Sequence, residues 1–119
     1  PVAQKHKPAH KEMVGIDIFV HRTGPVDLLA ERLQKAVLGS YDLAMITNRG
    51  VKVWPNGLPE TFCTDHWRCR FLAREGAQFN KAMVVDLLRK LSQLGIDFIK
   101  TEQLYTFDGA PGYSLGQGQ

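Results

Sequence analysis

The residues able to do chemistry are few and scattered. The histidines are His6, His10, His21 and His66, and the two cysteines are Cys63 and Cys69. The run Cys63-Thr-Asp-His66-Trp-Arg-Cys69 places three soft ligands three residues apart. On a loop or helix such spacing could approach zinc, though structural zinc takes four ligands. On a strand the odd spacing sends His66 to the face opposite the cysteines. The expectation is therefore that Cys69 packs in a core and His66 lies at the surface. Asp65 and His66 diverge for the same reason and make no proton relay. Asp17 alternates with aliphatic residues in an extended pattern. It could act as a base, but it has no partner identifiable in the sequence, and its expected place is the solvent or partner face of a sheet. The turn Arg22-Thr23-Gly24 beside His21 is the better ligand candidate, because backbone N–H groups there could hold a carboxylate. Ordinary turn chemistry explains the same residues. No glycine-rich phosphate loop, nucleophile elbow or zinc-protease pattern is present. No nucleophile, base and orienting group come together, so no catalytic, cofactor-binding or metal residue is assigned.

The elements that would carry these residues can be read from periodicity. In Met13–His21, Val14, Ile16, Ile18 and Val20 alternate with Gly15, Asp17, Phe19 and His21, a strand. Pro25–Leu38 reads as a helix, with Thr23 able to cap it, Pro25 at its first position and Gly39 past its end. Its apolar stripe is Val26, Leu29, Ala30, Leu33, Ala36 and Val37. Tyr41–Thr47 reads as a second strand, which Asn48-Arg49-Gly50 interrupts before Val51–Trp54 resumes. One long strand bent at a glycine bulge and a tight hairpin both fit, and the bent strand is favoured. Asp65–Arg74 is a strand with Trp67, Cys69, Phe71 and Ala73 on one face and Arg68, Arg70 and Arg74 on the other. Asn80 caps a second helix ending near Gly95, with Met83, Val84, Leu87, Leu88, Leu91 and Leu94 as its stripe. Ile96–Tyr105 is the last strand, and the glycine- and proline-rich tail from about residue 106 reads as irregular.

The order β-α-β-β-α-β predicts an α+β, ferredoxin-like fold. Two helices would cover one face of a four-stranded antiparallel sheet with strand order 4-1-3-2, leaving the other face open. The 119 residues suffice for one domain, taken as 12–119, preceded by a basic linker over 1–11. That arm holds Lys5, Lys7 and Lys11 and no acid, so the formal charge of +3 resides there and the body is neutral. A neutral body argues against nucleic-acid binding, although an RNA-stacking sheet using Arg68 and Arg70 remains an alternative. No apolar run is long enough to span a membrane, and no signal peptide is visible. Starting at Pro1 fits a processed protein or a piece of a longer one. Cys63 and Cys69, if on one strand, lie too far apart for a disulfide, so both read as free thiols in the cytoplasm.

Four stretches together resemble a known family. They are Met13–Val20 (MVGIDIFV), Met45–Trp54 (MITNRGVKVW), Asp65–Phe71 (DHWRCRF) and Phe107–Tyr113 (FDGAPGY). In this order they resemble the extra C-terminal domain of long-form, Thermus-type bacterial NADP-dependent isocitrate dehydrogenases. The resemblance covers about residues 12–119. It implies that isocitrate, NADP and magnesium or manganese bind in a catalytic body preceding this domain, so none of the family's catalytic residues can be carried onto this chain. It further implies an accessory role in assembly or regulation, partnered by that body or by a second copy in a homo-oligomer. The turn from Arg22 to Leu29 also resembles the first turn of ACT domains, ferredoxin-like modules that bind amino acids. That likeness gives the alternative of a free-standing metabolite-binding regulatory module.

Overall fold

Alternating apolar and polar residues make Lys11–His21 a long strand, β1, two residues longer at its start than the pattern suggests. Helix α1 follows over Val26–Ala36, then strands β2 (Tyr41–Asn48), β3 (Val51–Trp54) and β4 (His66–Ala73). Helix α2 spans Lys81–Gln93, before β5 (Phe98–Phe107) and β6 (Ala110–Leu115). The structure, a computed structural model, describes residues 11–37, 41–56, 65–74, 79–107 and 110–115. Gly39, Cys63, His6, His10 and the basic arm before Lys11 lie outside them.

The strands form one antiparallel sheet in the order β3-β2-β4-β1-β5-β6. The inner four, β2-β4-β1-β5, reproduce the expected ferredoxin-like arrangement. The sheet nevertheless has six strands, so the four-stranded expectation needs correction at both edges. At one edge, Asn48 pairs with Val51, and Arg49 and Gly50 have φ of 56° and 84°. Two successive positive φ values make a tight hairpin turn, so β2 and β3 are separate strands and not one bent strand. At the other edge, Ala110–Leu115 pairs with β5, with Leu104 opposite Leu115. Its glycine and proline content hides a strand, because an edge strand tolerates both residues.

Both helices lie against one face of the sheet. From α1, Val26, Ala30, Leu33 and Ala36 are buried, and from α2, Leu87 and Leu91. They pack on Ile16, Ile18 and Val20 of β1, Ile46 of β2, and Trp67, Cys69 and Phe71 of β4. The N-terminus of α1 corrects another expectation. Pro25 is the cap residue, no side chain bonds to the first turn, and Thr23 does not cap. Asn80 does cap α2, its Oδ1 accepting from the Met83 N–H at 3.0 Å.

A polar clamp ties α2 to the sheet. The Tyr41 hydroxyl donates to Asp86 Oδ2 at 3.0 Å, and Lys90 Nζ lies 2.8 Å from the same oxygen. Burial first, then the bond to Asp86, pushes the Tyr41 hydroxyl pKa up. The hydrogen bond from Lys90, with that from Tyr41, holds the Asp86 carboxyl below its usual range. The same bond to Asp86 raises Lys90.

Candidate functional site

Where β1 ends, the chain turns toward α1 and a cleft of about 420 Å³ opens. His21, Arg22 and Thr23 line it from the turn, Asp65 from the start of β4, and Leu29 and Arg32 from α1. Gly95, Ile96 and Asp97 close it from the segment between α2 and β5. The backbone N–H of Arg22 donates to the Asp65 carbonyl at 3.0 Å, tying the first two walls together. The third wall is set by the end of α2. Gly95 has φ of 77°, its N–H donates to Ser92 O at 3.0 Å, and the Ile96 N–H donates to Leu91 O at 3.0 Å. These paired bonds are the Schellman arrangement, which needs a left-handed residue at the position Gly95 fills.

Both arginines in the cleft are held in place. The guanidinium carbon of Arg22 sits 4.5 Å from the ring centroid of buried Trp67, a cation–π contact. Arg32 donates to the Leu94 carbonyl, joining α1 to the C-terminal end of α2. A smaller cavity of about 60 Å³ adjoins through Thr23, Leu29 and Arg32, and is also lined by Gly24 and Trp67. Of the residues singled out from sequence, Arg22 and Thr23 line the larger cavity, and Thr23 and Gly24 the smaller. Sequence reasoning misses Arg32, Asp65 and Asp97. Arg32 carries a usable signal, since it lies three residues beyond Leu29 and so shares its side of the helix. The two aspartates are brought in by tertiary structure, and nothing local marks them.

The opposite face of the sheet holds the second cluster of charge. Asp17 pairs directly with Arg70 across β1 and β4. Arg70 Nε and Nη2 donate to Asp17 Oδ1 and Oδ2 at 2.8 and 2.9 Å, a two-pronged ion pair. The Asp17 side chain is 0% exposed and that of Arg70 18%. Asp17 is on the face expected, but it is buried and partnered, because the antiparallel register brings a long arginine over it. Neighbouring pairs extend the pattern: Arg68 Nε donates to Thr47 Oγ1 at 3.1 Å, and Lys100 lies 3.2 Å from Glu102. Phe19 is contacted by Lys100, 4.8 Å from its centroid, and edge-to-face by the His66 ring at 5.5 Å. His66 is half-buried on this face, while Cys69 is buried on the other. Burial, reinforced by the nearby charge of Asp17, pushes the Cys69 thiol far up, so it is not a thiolate nucleophile at neutral pH. Among the described residues, no group of three or more His, Cys, Asp or Glu is placed to hold a metal ion. Among them also, no helix is long and apolar enough to cross a membrane.

Helices on one sheet face, a charged cleft at the first turn and a pair-neutralised second face define a split β-α-β sandwich widened by one strand at each edge. The chain belongs to the family described as bacterial isocitrate dehydrogenase, C-terminal domain, which matches residues 11–119. It is 41% identical over 110 residues to the isocitrate dehydrogenase [NADP] of Rickettsia bellii. It is 32% identical over 113 residues to the enzyme of the same name from Thermus thermophilus. These alignments cover 92% and 94% of this chain but 23% of each relative, so the chain spans about a quarter of their length. The crystal structure of the TT0538 protein from Thermus thermophilus superimposes with a TM-score of 0.79 at 32% identity, covering 94% of this chain and 23% of that one.

Proposed function

We propose that this chain is an accessory domain, without catalysis of its own, of an NADP-dependent isocitrate dehydrogenase. The parent reaction would be oxidative decarboxylation of isocitrate to 2-oxoglutarate in the cytoplasm. NADP and magnesium or manganese would bind in a catalytic body that forms the rest of the polypeptide. The carrying observation is a family match over residues 11–119 combined with coverage of 23% of the relatives' length. The organisation that goes with this is a basic linker followed by a single domain that starts with β1 at Lys11, one residue earlier than the 12–119 read from the sequence.

The role assigned is assembly, through contact with the body or a second copy in a homo-oligomer. Phe98 and Ile99 at the start of β5, 37% and 47% exposed, are suited to such a contact. Trp54 is a poorer candidate than its type suggests, because it packs against the domain's own core. An RNA-binding role is disfavoured for a similar reason, since Arg68 and Arg70 are committed to Thr47 and Asp17.

The test pairs the chain with its parent enzyme. The chain alone should form no NADPH from isocitrate, NADP and magnesium, and turnover by it would overturn the reading. Deleting the domain from the parent should lower the number of subunits per assembly measured by analytical ultracentrifugation. An unchanged subunit number and unchanged kinetics together would sink the assembly role.

A further inference from the structure

We propose that two copies of the chain join along the outer edge of β5, antiparallel about a two-fold axis at Thr101. This rests on the assembly role above, and it names the partner, a second copy, and the strand. β1 lines the inner edge of β5 from Phe98 to Phe107, whereas β6 reaches the outer edge only from Leu104 onward. Among the described residues, no strand lies along the outer edge of 98–103. Such an edge presents a row of backbone donors and acceptors to another chain. Phe98 and Ile99, both exposed, lie at one end of it. A two-fold joint would cover them at both of its ends.

Hydrogen-bond phase limits the registers. The Arg22 N–H donates to the Asp65 carbonyl, so Val20, Ile18 and Ile16 turn their backbone groups to β4, and Phe19, Asp17 and Gly15 turn theirs to β5. The β5 partners of those three, Lys100, Glu102 and Leu104, spend their groups on β1, which leaves Thr101 and Gln103 facing outward. Outward residues must oppose outward residues, so the registers that use most of the stretch centre on residue 100, 101 or 102. Centred on 100, Lys100 meets another lysine, and centred on 102, Glu102 meets another glutamate. Centred on 101, each Lys100 faces the partner's Glu102, in the non-hydrogen-bonded positions where side chains come closest. Edge charges ordinarily block joining, but these reject two registers and admit one. Glu102 also has a reason to take a cation from outside. Its neighbour on β1 is Asp17, a like charge, whose own cation Arg70 is engaged with both carboxylate oxygens. Lys100 of the same chain, 3.2 Å away, reaches Glu102 from two residues along the strand. The partner's Lys100 would sit directly opposite, on the side away from Asp17. An ammonium has three donors, so each lysine can serve both carboxylates. On the helix-bearing face, Thr101 would meet Thr101, a favourable cross-strand pair.

The experiment is sedimentation equilibrium of the chain at up to about 1 mM, with Lys100→Glu, Glu102→Lys and an equimolar mixture of the two variants. The expected result is a dimer that each single variant weakens roughly tenfold or more, with an otherwise unchanged NMR spectrum. The mixture should restore it as a heterodimer, because every charge at 100 then faces an opposite charge at 102. A general structural effect of either substitution would not be repaired by mixing. A chain that stays monomeric at about 1 mM would overturn the proposal. So would a dimer that either variant leaves intact, or variants that fail to pair when mixed. A monomer whose Thr101 amide is protected from exchange would overturn it too, showing the edge covered from within the chain. None of these failures touches the broader assembly role, which the subunit number of the domain-deleted parent decides separately.

Discussion

The two faces of the sheet are equally dry at their centres and reach that state by opposite means. Under the helices, Ile16, Ile18, Trp67 and Phe71 are fully buried by packing. On the other face, Asp17 is fully buried too, yet among the described residues no helix lies over it. A side chain from the adjacent strand, Arg70, covers and neutralises it. The first face relies on many weak, interchangeable contacts, and the second on a few specific pairs set by register. Damage to the first should scale with the volume removed. Damage to the second should depend on which member of a pair is lost.

The largest effect expected is on the packed face. Phe71→Ala should cost about 3–5 kcal/mol in urea denaturation, through lost burial and the cavity left behind. Next comes Arg70→Met, which strands a buried carboxylate and should cost about 3 kcal/mol. Replacing both members, Asp17→Met with Arg70→Met, should recover most of that loss. A single Arg70→Met change without measurable cost would show that Asp17 is hydrated and the comparison mistaken. Gly15→Ala probes how closely the second face is packed. An added Cβ there would collide with the Phe71 carbonyl and lie 2.7 Å from Leu72 Cδ2, so a loss of about 1–3 kcal/mol is expected.

The smallest effect concerns the Tyr41–Asp86–Lys90 clamp, which lies at the water-exposed margin. Asp86 is held below its usual range, so its contribution is present above that range and fades as pH falls through the lowered value. Tyr41 and Lys90 are raised above 10.0 and 10.5, so theirs are present below those values and fade as pH rises through the raised ones. Thermal midpoints followed across pH should show a shallow alkaline decline that Tyr41→Phe flattens.

Much of this contrast is legible in the residues themselves. Alternation in β1 and β4 separates the two faces correctly, and helical spacing finds both apolar stripes. Asn80 and Gly95 mark the ends of α2 because each has a local mechanism, a side-chain acceptor in one case and a left-handed backbone in the other. The partner of Asp17 is hidden because it lies 53 residues away, and one sequence does not reveal register. The hairpin at Arg49-Gly50 is easily mistaken for a bulge because arginine seldom occupies the first position of such a turn. The last strand escapes notice because its glycine and proline imitate a loop. In the cleft, Arg22, Thr23 and Gly24 announce themselves by turn chemistry, whereas Asp65 and Asp97 owe their places to the sheet and to the α2 terminus.

The position of β1 has a consequence for how the molecule is made. It comes first among the elements, yet it is flanked by β4 and β5, which follow far later. During synthesis its aliphatic residues and Asp17 leave the ribosome together, and the second flank cannot close until residues 98–107 have emerged. Local helices form in microseconds, but closure between distant segments is slow. The nascent domain therefore stays a sticky, half-built intermediate until its final third is translated, the interval in which a chaperone would matter most.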